Sequence, residues 1–181
     1  GAMTEADEPR RRLLATIDAE HAAWRTLVAE VGEDRMTEPG PMGTWTFRDL
    51  LVHLLGWRDR TLARLEAVAA GQPEPRSPWP PELDGDDDGD DDDGVDAVNE
   101  WFQDRGAERS VAELLAVADA SYGRLGAALA AIPVATLTDP LAIPWLDGEA
   151  AVDVDWLGHL NEEHMSSIRA WLDAERGASP S

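Results

Sequence analysis

The 181-residue chain has no cysteine, one tyrosine and two phenylalanines, and its 15 basic residues are all arginine, so lysine is missing as well. Without thiols there is no disulfide framework, no thiolate nucleophile, no thiolate zinc site and no iron-sulfur cluster. The missing lysine removes Schiff-base catalysis and the phosphate-loop lysine. No apolar run approaches the roughly 20 residues that a membrane-spanning helix needs. A basic patch is also lacking: 37 acidic residues leave a net charge of −22, which repels phosphate backbones and anionic lipid heads. Neither nucleic acid nor membrane is therefore expected as a partner. The sequence also contains no G-x-S-x-G elbow, no glycine-rich nucleotide loop and no H-E-x-x-H pair.

The length suits one domain with a proper core. That domain is expected over residues 4–177, with Gly1-Ala2-Met3 as the scar of an expression tag and residues 178–181 as a tail. Thr4-Glu5-Ala6-Asp7-Glu8 is acidic where a signal peptide would be basic, so a soluble cytoplasmic protein is expected.

Four amphipathic segments organise the chain. From Glu8 to Val31, the residues Leu14, Ile17, His21, Trp24, Val28 and Val31 recur at spacings of three and four, and Gly32 supplies a stop. After a loop rich in glycine and proline, Thr46 and Asp49 form a capping box, with Trp45 and Leu50 as the matching hydrophobic staple. The second helix then runs from Phe47 to Ala70. Nine aspartates fall between Asp84 and Asp96, and a disordered acidic loop is expected at about 82–94 because adjacent like charges repel. Asp84, Asp86, Asp88 and Gly89 imitate half of a calcium-binding loop, but Val95 stands where the bidentate glutamate belongs. A short helical piece, 95–104, carries Val98, Trp101 and Phe102. Ser110 and Glu113 read as a second capping box, before a stripe through Leu115, Ala118, Tyr122, Leu125 and Leu129 that ends at Pro133. Residues 135–143 could be extended. A last helix is expected from about Val154 to Arg176, with Leu157, Asn161, His164, Ile168 and Trp171 inward. Four such helices make an all-α, four-helix bundle, and the long connection after the second suits a crossover.

Bundle interiors are where ligand and metal sites are built, from side chains of facing helices. His21, His53 and His164 fall on inward stripes of three helices. His159, five residues before His164, is turned from it by about 140° at 100° per residue. The ordinary alternative is that each is a partly buried histidine bonded to a carbonyl or an acid. Eight tryptophans are many for this length. Trp24 and Trp171 read as core, whereas Trp45, Trp79, Trp101 and Trp145 lie at helix ends or in loops, where an aromatic roofs a bundle or lines a pocket.

The stretch from Gly43 to Trp57, with Thr44-Trp45-Thr46 leading into a helix that carries His53, resembles the second-helix signature of the DinB-like superfamily, which includes mycothiol-dependent maleylpyruvate isomerases. Val98-Asn99-Glu100-Trp101-Phe102, Arg109-Ser110 and the final Glu163-His164 to Trp171-Leu172 extend the resemblance, closest to the ClbS/DfsB-like branch. The resemblance implies an up-down-down-up bundle. Metal-dependent members use one histidine of helix two and two of helix four a turn apart. His53 and His164 match two of these, but Leu160 stands four before His164, and His159 is displaced by one. A divalent metal, zinc or nickel, therefore requires a third ligand from His21, Glu163 or a register shift. The ClbS-like branch implies self-resistance by hydrolytic opening of a reactive ring without an obvious metal. On that reading His53, His164 and Glu163 are catalytic, and Trp45, Trp57, Trp101, Tyr122 and His21 bind substrate. The reading leans to an enzyme acting on an electrophilic small molecule, as monomer or homodimer. Its alternatives are a non-catalytic sequestering protein and a metal-dependent thiol transferase, and a third possibility is a bundle acting through protein contacts of the acidic loop.

Overall fold

Capping chemistry sets most of the boundaries. The computed structural model describes residues 5–84 and 92–178, and these form an all-helical bundle with one small hairpin. Helix α1 spans Glu8–Val31 and stops at Gly32, whose φ of 77° suits a residue without a side chain. A hairpin that no apolar alternation announces follows, in which β1 (Pro39–Met42) and β2 (Trp45–Thr46) pair antiparallel. Helix α2 (Phe47–Ala69) opens on the expected capping box: Thr46 Oγ1 accepts from the Asp49 amide, and the Asp49 carboxylate accepts from the Thr46 amide, both at 3.0 Å.

Both ends of the expected acidic loop are structured: Pro81–Leu83 forms a 3₁₀ turn, and helix α3 (Asp92–Gly106) makes residues 92–94 helical, while residues 85–91 lie outside the described residues. Helix α4 (Val111–Ala131) starts at Ser110, which accepts from the Glu113 amide at 3.1 Å, the forward half of the second expected box. The region thought to be extended instead begins with helix α5 (Val134–Thr138), seated by the fully buried Leu137. Pro133 precedes it, where a fixed φ suits a helix start.

The last helical segment begins a few residues later than the periodicity suggests, and with a π-helical turn. The Asp155 carboxylate accepts from the Leu157 amide at 3.3 Å, and the Trp156 indole donates to the Ala151 carbonyl at 3.0 Å. Both bonds hold a turn where the helix was expected. A π-helical turn follows over His159–His164, and only then does α6 (Met165–Ala178) begin. The face of this segment is also rotated. Leu157, Leu160, His164, Ile168 and Leu172 are buried, while Asn161 and Trp171 are half-buried. Trp171 is therefore not core; it packs on Gly40 of β1 beneath the Arg35 guanidinium.

Helix α2 is the central element, packing against α3 and α4, and α4 packs in turn on α1. Its first turns are buried on every side, from Phe47 through Leu50, Leu51, Val52, His53, Leu54 and Leu55, whereas farther along only Leu62 and Leu65 are. A helix apolar all round is one that its neighbours surround. Each fully buried leucine contributes about 1.5–3 kcal/mol, so the region around His53 is the most constrained part of the bundle. Among the described residues, no helix is long and apolar enough to cross a membrane.

Candidate functional site

His53 sits two turns into α2 and is buried, and His164 closes the π-helical turn and is buried too; their rings meet edge to face at 5.4 Å between centroids. The sequence thus placed both inward, and the fold brings them together. Trp45, in β2, lays its ring against His53 at 5.5 Å.

Helix α3 supplies the residue that sequence reasoning missed as a site member, Asn99. It reaches His53 because α3 packs directly on α2. Gly56 makes that approach possible, since a Cβ there would stand 2.5 Å from the Phe102 ring. Arg48 fixes the end of α3 by donating to the Gly106 and Arg109 carbonyls, each at 2.6 Å, a cation on the negative end of a helix. Gln103 adds a bond to the Asp49 carbonyl at 2.8 Å.

The bonds of Asn99 determine the tautomer of His53. An indole N–H only donates. Trp57 Nε1 lies 2.7 Å from Asn99 Oδ1, so the carboxamide presents its oxygen there. The same oxygen lies 3.0 Å from His53 Nδ1. A carbonyl oxygen only accepts, so Nδ1 carries the proton and the lone pair of neutral His53 sits on Nε2.

The remaining expected site residues divide. Trp57 belongs to the site through Asn99 and joins an aromatic cluster with Trp79 and Phe102, each at 5.4 Å. Trp101 packs on Phe102 from the far side of that cluster. His21 and Tyr122 stack on one another at 4.6 Å, and Arg58 covers the Tyr122 ring at 4.9 Å. His21 is half-buried rather than inward, with Nε2 2.7 Å from the Asp119 carboxylate. Burial pushes the Tyr122 phenol up, and Arg58 pulls it back only in part. Bonds from Arg25 and then His21 hold the Asp119 carboxyl down at about 2. His21 and Tyr122 therefore form a cluster of their own between α1 and α4. The side chains of Glu163 and His159 lie outside the described ones.

Among the described residues, no three histidine, aspartate or glutamate side chains gather as a metal site. Two imidazoles alone hold zinc weakly. The described donors alone do not complete a metal site.

A family model described as the DinB superfamily matches residues 16–166, from α1 to the start of α6, and so includes both histidines. No curated protein and no solved structure matches the chain.

Proposed function

The chain belongs to the DinB superfamily, and from that premise and the paired imidazoles we propose that it binds an electrophilic small molecule beside His53 and His164 and opens it by adding water. This is the detoxifying or self-resistance role of the ClbS/DfsB-like branch. The observation that carries the reading is the bond pair on Asn99, which puts the proton of a neutral His53 on Nδ1 and its lone pair on Nε2, in a buried place beside Trp45 and His164. In the proposed step, His53 Nε2 takes a proton from water while the water oxygen bonds to the electrophilic carbon. The strained bond to that carbon breaks, and its electron pair passes to the neighbouring atom. That atom takes the proton back from the His53 imidazolium, directly or relayed through His164, so one water is added across one bond and both rings end as they began. Trp45 and Trp57 are assigned to contact the substrate, and Glu163 to orient the water.

The test is incubation with a carbonyl-activated cyclopropane in ¹⁸O-labelled water. Many turnovers per protein, with one labelled oxygen in each opened product and a loss of roughly 10²-fold or more in His53→Ala and His164→Ala, support the hydrolase. Protection that saturates at one equivalent without product indicates a sequestering protein, and full activity in both variants removes the histidines from the mechanism.

One observation favours a second reading, a metal-dependent thiol transferase. The His159–His164 segment is π-helical, and its i→i+5 bonds shift the register by one residue relative to an α-helix. That is the displacement by which His159 misses the family position. Elemental analysis of the protein supplied with zinc or nickel checks this: stoichiometric metal that is lost in His53→Ala and in His159→Ala supports it, and absence of metal rejects it.

A further inference from the structure

A pocket lies against α2 where α3 and α4 meet it, away from the histidine pair. Its volume is about 390 Å³, near the lower end of the roughly 300–1,000 Å³ that small-molecule sites span. Val52, Leu55 and Leu114 form the apolar floor, and Trp101 and Phe102 form an aromatic wall. On α2, the lining positions 52, 55, 56 and 59 recur at spacings of three and four, and His53 and Trp57 point more than about 100° away from that face. Phe102 stands between the two regions, its ring against both Gly56 and Trp57.

The charge of this pocket runs against that of the chain. Arg105 and Arg109 both line it, and among the described residues neither joins an ion pair. The single lining carboxylate, Asp59, pairs with Arg124 at 3.2 Å and also feels the charge of Arg109, so the lining holds two arginines against one carboxylate. In a chain of net charge −22, two arginines left facing one cavity are a local positive surplus. The Arg105 guanidinium is also placed before any ligand arrives, lying 4.8 Å over the Trp101 ring. A guanidinium resting on an indole keeps its N–H groups at its rim, in the fork that fits a carboxylate.

We infer that this pocket binds a carboxylate carried on a flat aromatic body, with Arg105 and Arg109 holding the anion and Trp101 and Phe102 flanking the ring. A neutral ring of the same shape leaves the guanidinium fork unused and binds more weakly. The inference is independent of the chemistry assigned to the histidines, because no residue of that pair lines the pocket.

Isothermal titration calorimetry with naphthalene-1-carboxylate and its neutral counterpart, naphthalene-1-carboxamide, tests it on the full chain. The expected result is one carboxylate per chain, a carboxamide affinity at least tenfold lower, a similar tenfold loss in the Arg105→Gln, Arg109→Gln double variant, and unchanged binding in His53→Ala. No saturable binding at millimolar carboxylate overturns the inference. Equal affinity for the carboxamide does so in the wild-type protein, without reliance on any variant. Binding that survives in the double variant, or that disappears in His53→Ala, places the ligand elsewhere and overturns it equally.

Discussion

Asn99 has one oxygen and two donors to satisfy with it. Replacement by leucine leaves the Trp57 indole N–H and the His53 Nδ1–H without that acceptor, and a buried donor left unsatisfied costs about 1–3 kcal/mol. The more specific consequence concerns His53, whose proton is then no longer held on Nδ1. In the wild type, ¹⁵N spectra of the neutral His53 ring are expected to show a protonated Nδ1 and an unprotonated Nε2. In Asn99→Leu the two tautomers mix, and any reaction that uses Nε2 as a base slows by roughly 10–100-fold, the range typical of groups that orient a functional histidine. An unchanged tautomer in Asn99→Leu would show that some other bond sets it. The spectrum separates this positioning role from simple destabilisation, which moves the unfolding midpoint and leaves the tautomer alone. Residue types on apolar stripes were legible in the sequence, and His53 and His164 were found that way. Asn99 was not, although a carboxamide three residues before Phe102 on a short amphipathic helix was a signal. Its role depends on how closely α3 approaches α2, and periodicity does not encode that distance.

That distance is set between elements, at Gly56. In Gly56→Ala the new methyl group meets the Phe102 ring, and α3 must shift outward or Phe102 must leave its place. Overpacking of this kind costs about 1–3 kcal/mol, and for a domain of this size each kcal/mol lowers Tm by about 2–4 °C. Differential scanning calorimetry should therefore show a fall of roughly 2–12 °C. Because Asn99 rides on the same helix, the His53 ¹⁵N pattern should move with it; a Tm loss without any change at His53 would mean that the shift is absorbed by Phe102 alone. Helix starts such as Thr46 and Ser110, and stops such as Gly32, were legible because a cap is decided within four residues. The start of the last helix was not. Its sequence carries helical spacing, yet the Asp155 and Trp156 side chains spend their bonds on a turn, and the π-helical turn inserts one residue into the register. The short hairpin was hidden by its composition, since Pro39, Gly40 and Pro41 are poor strand residues anywhere but at an edge.

For the whole molecule, charge decides the response to salt. Two effects compete as ionic strength rises. Surface ion pairs such as Arg64 with Glu74 and Arg169 with Glu30 are weakened, each at a cost of a few tenths of a kcal/mol. Against this, the mutual repulsion of a folded chain carrying −22 is relieved, and that repulsion is long-ranged, reaching across the molecule when the Debye length is about 30 Å and vanishing when it is a few Å. The second effect should win. Tm is expected to rise by several degrees between about 10 mM and about 1 M sodium chloride, where a protein of balanced charge would show little change. The aspartates of residues 85–91 contribute to that repulsion by number. Replacing Asp86, Asp87, Asp88, Asp90 and Asp91 with serine leaves a net charge of −17, and because self-repulsion grows with the square of net charge, the salt-induced gain should shrink by about two-fifths. A gain that stays the same in the serine variant would mean that these carboxylates sit too far from the bundle to be felt, and a Tm that falls with salt would mean that the ion pairs outweigh the net charge.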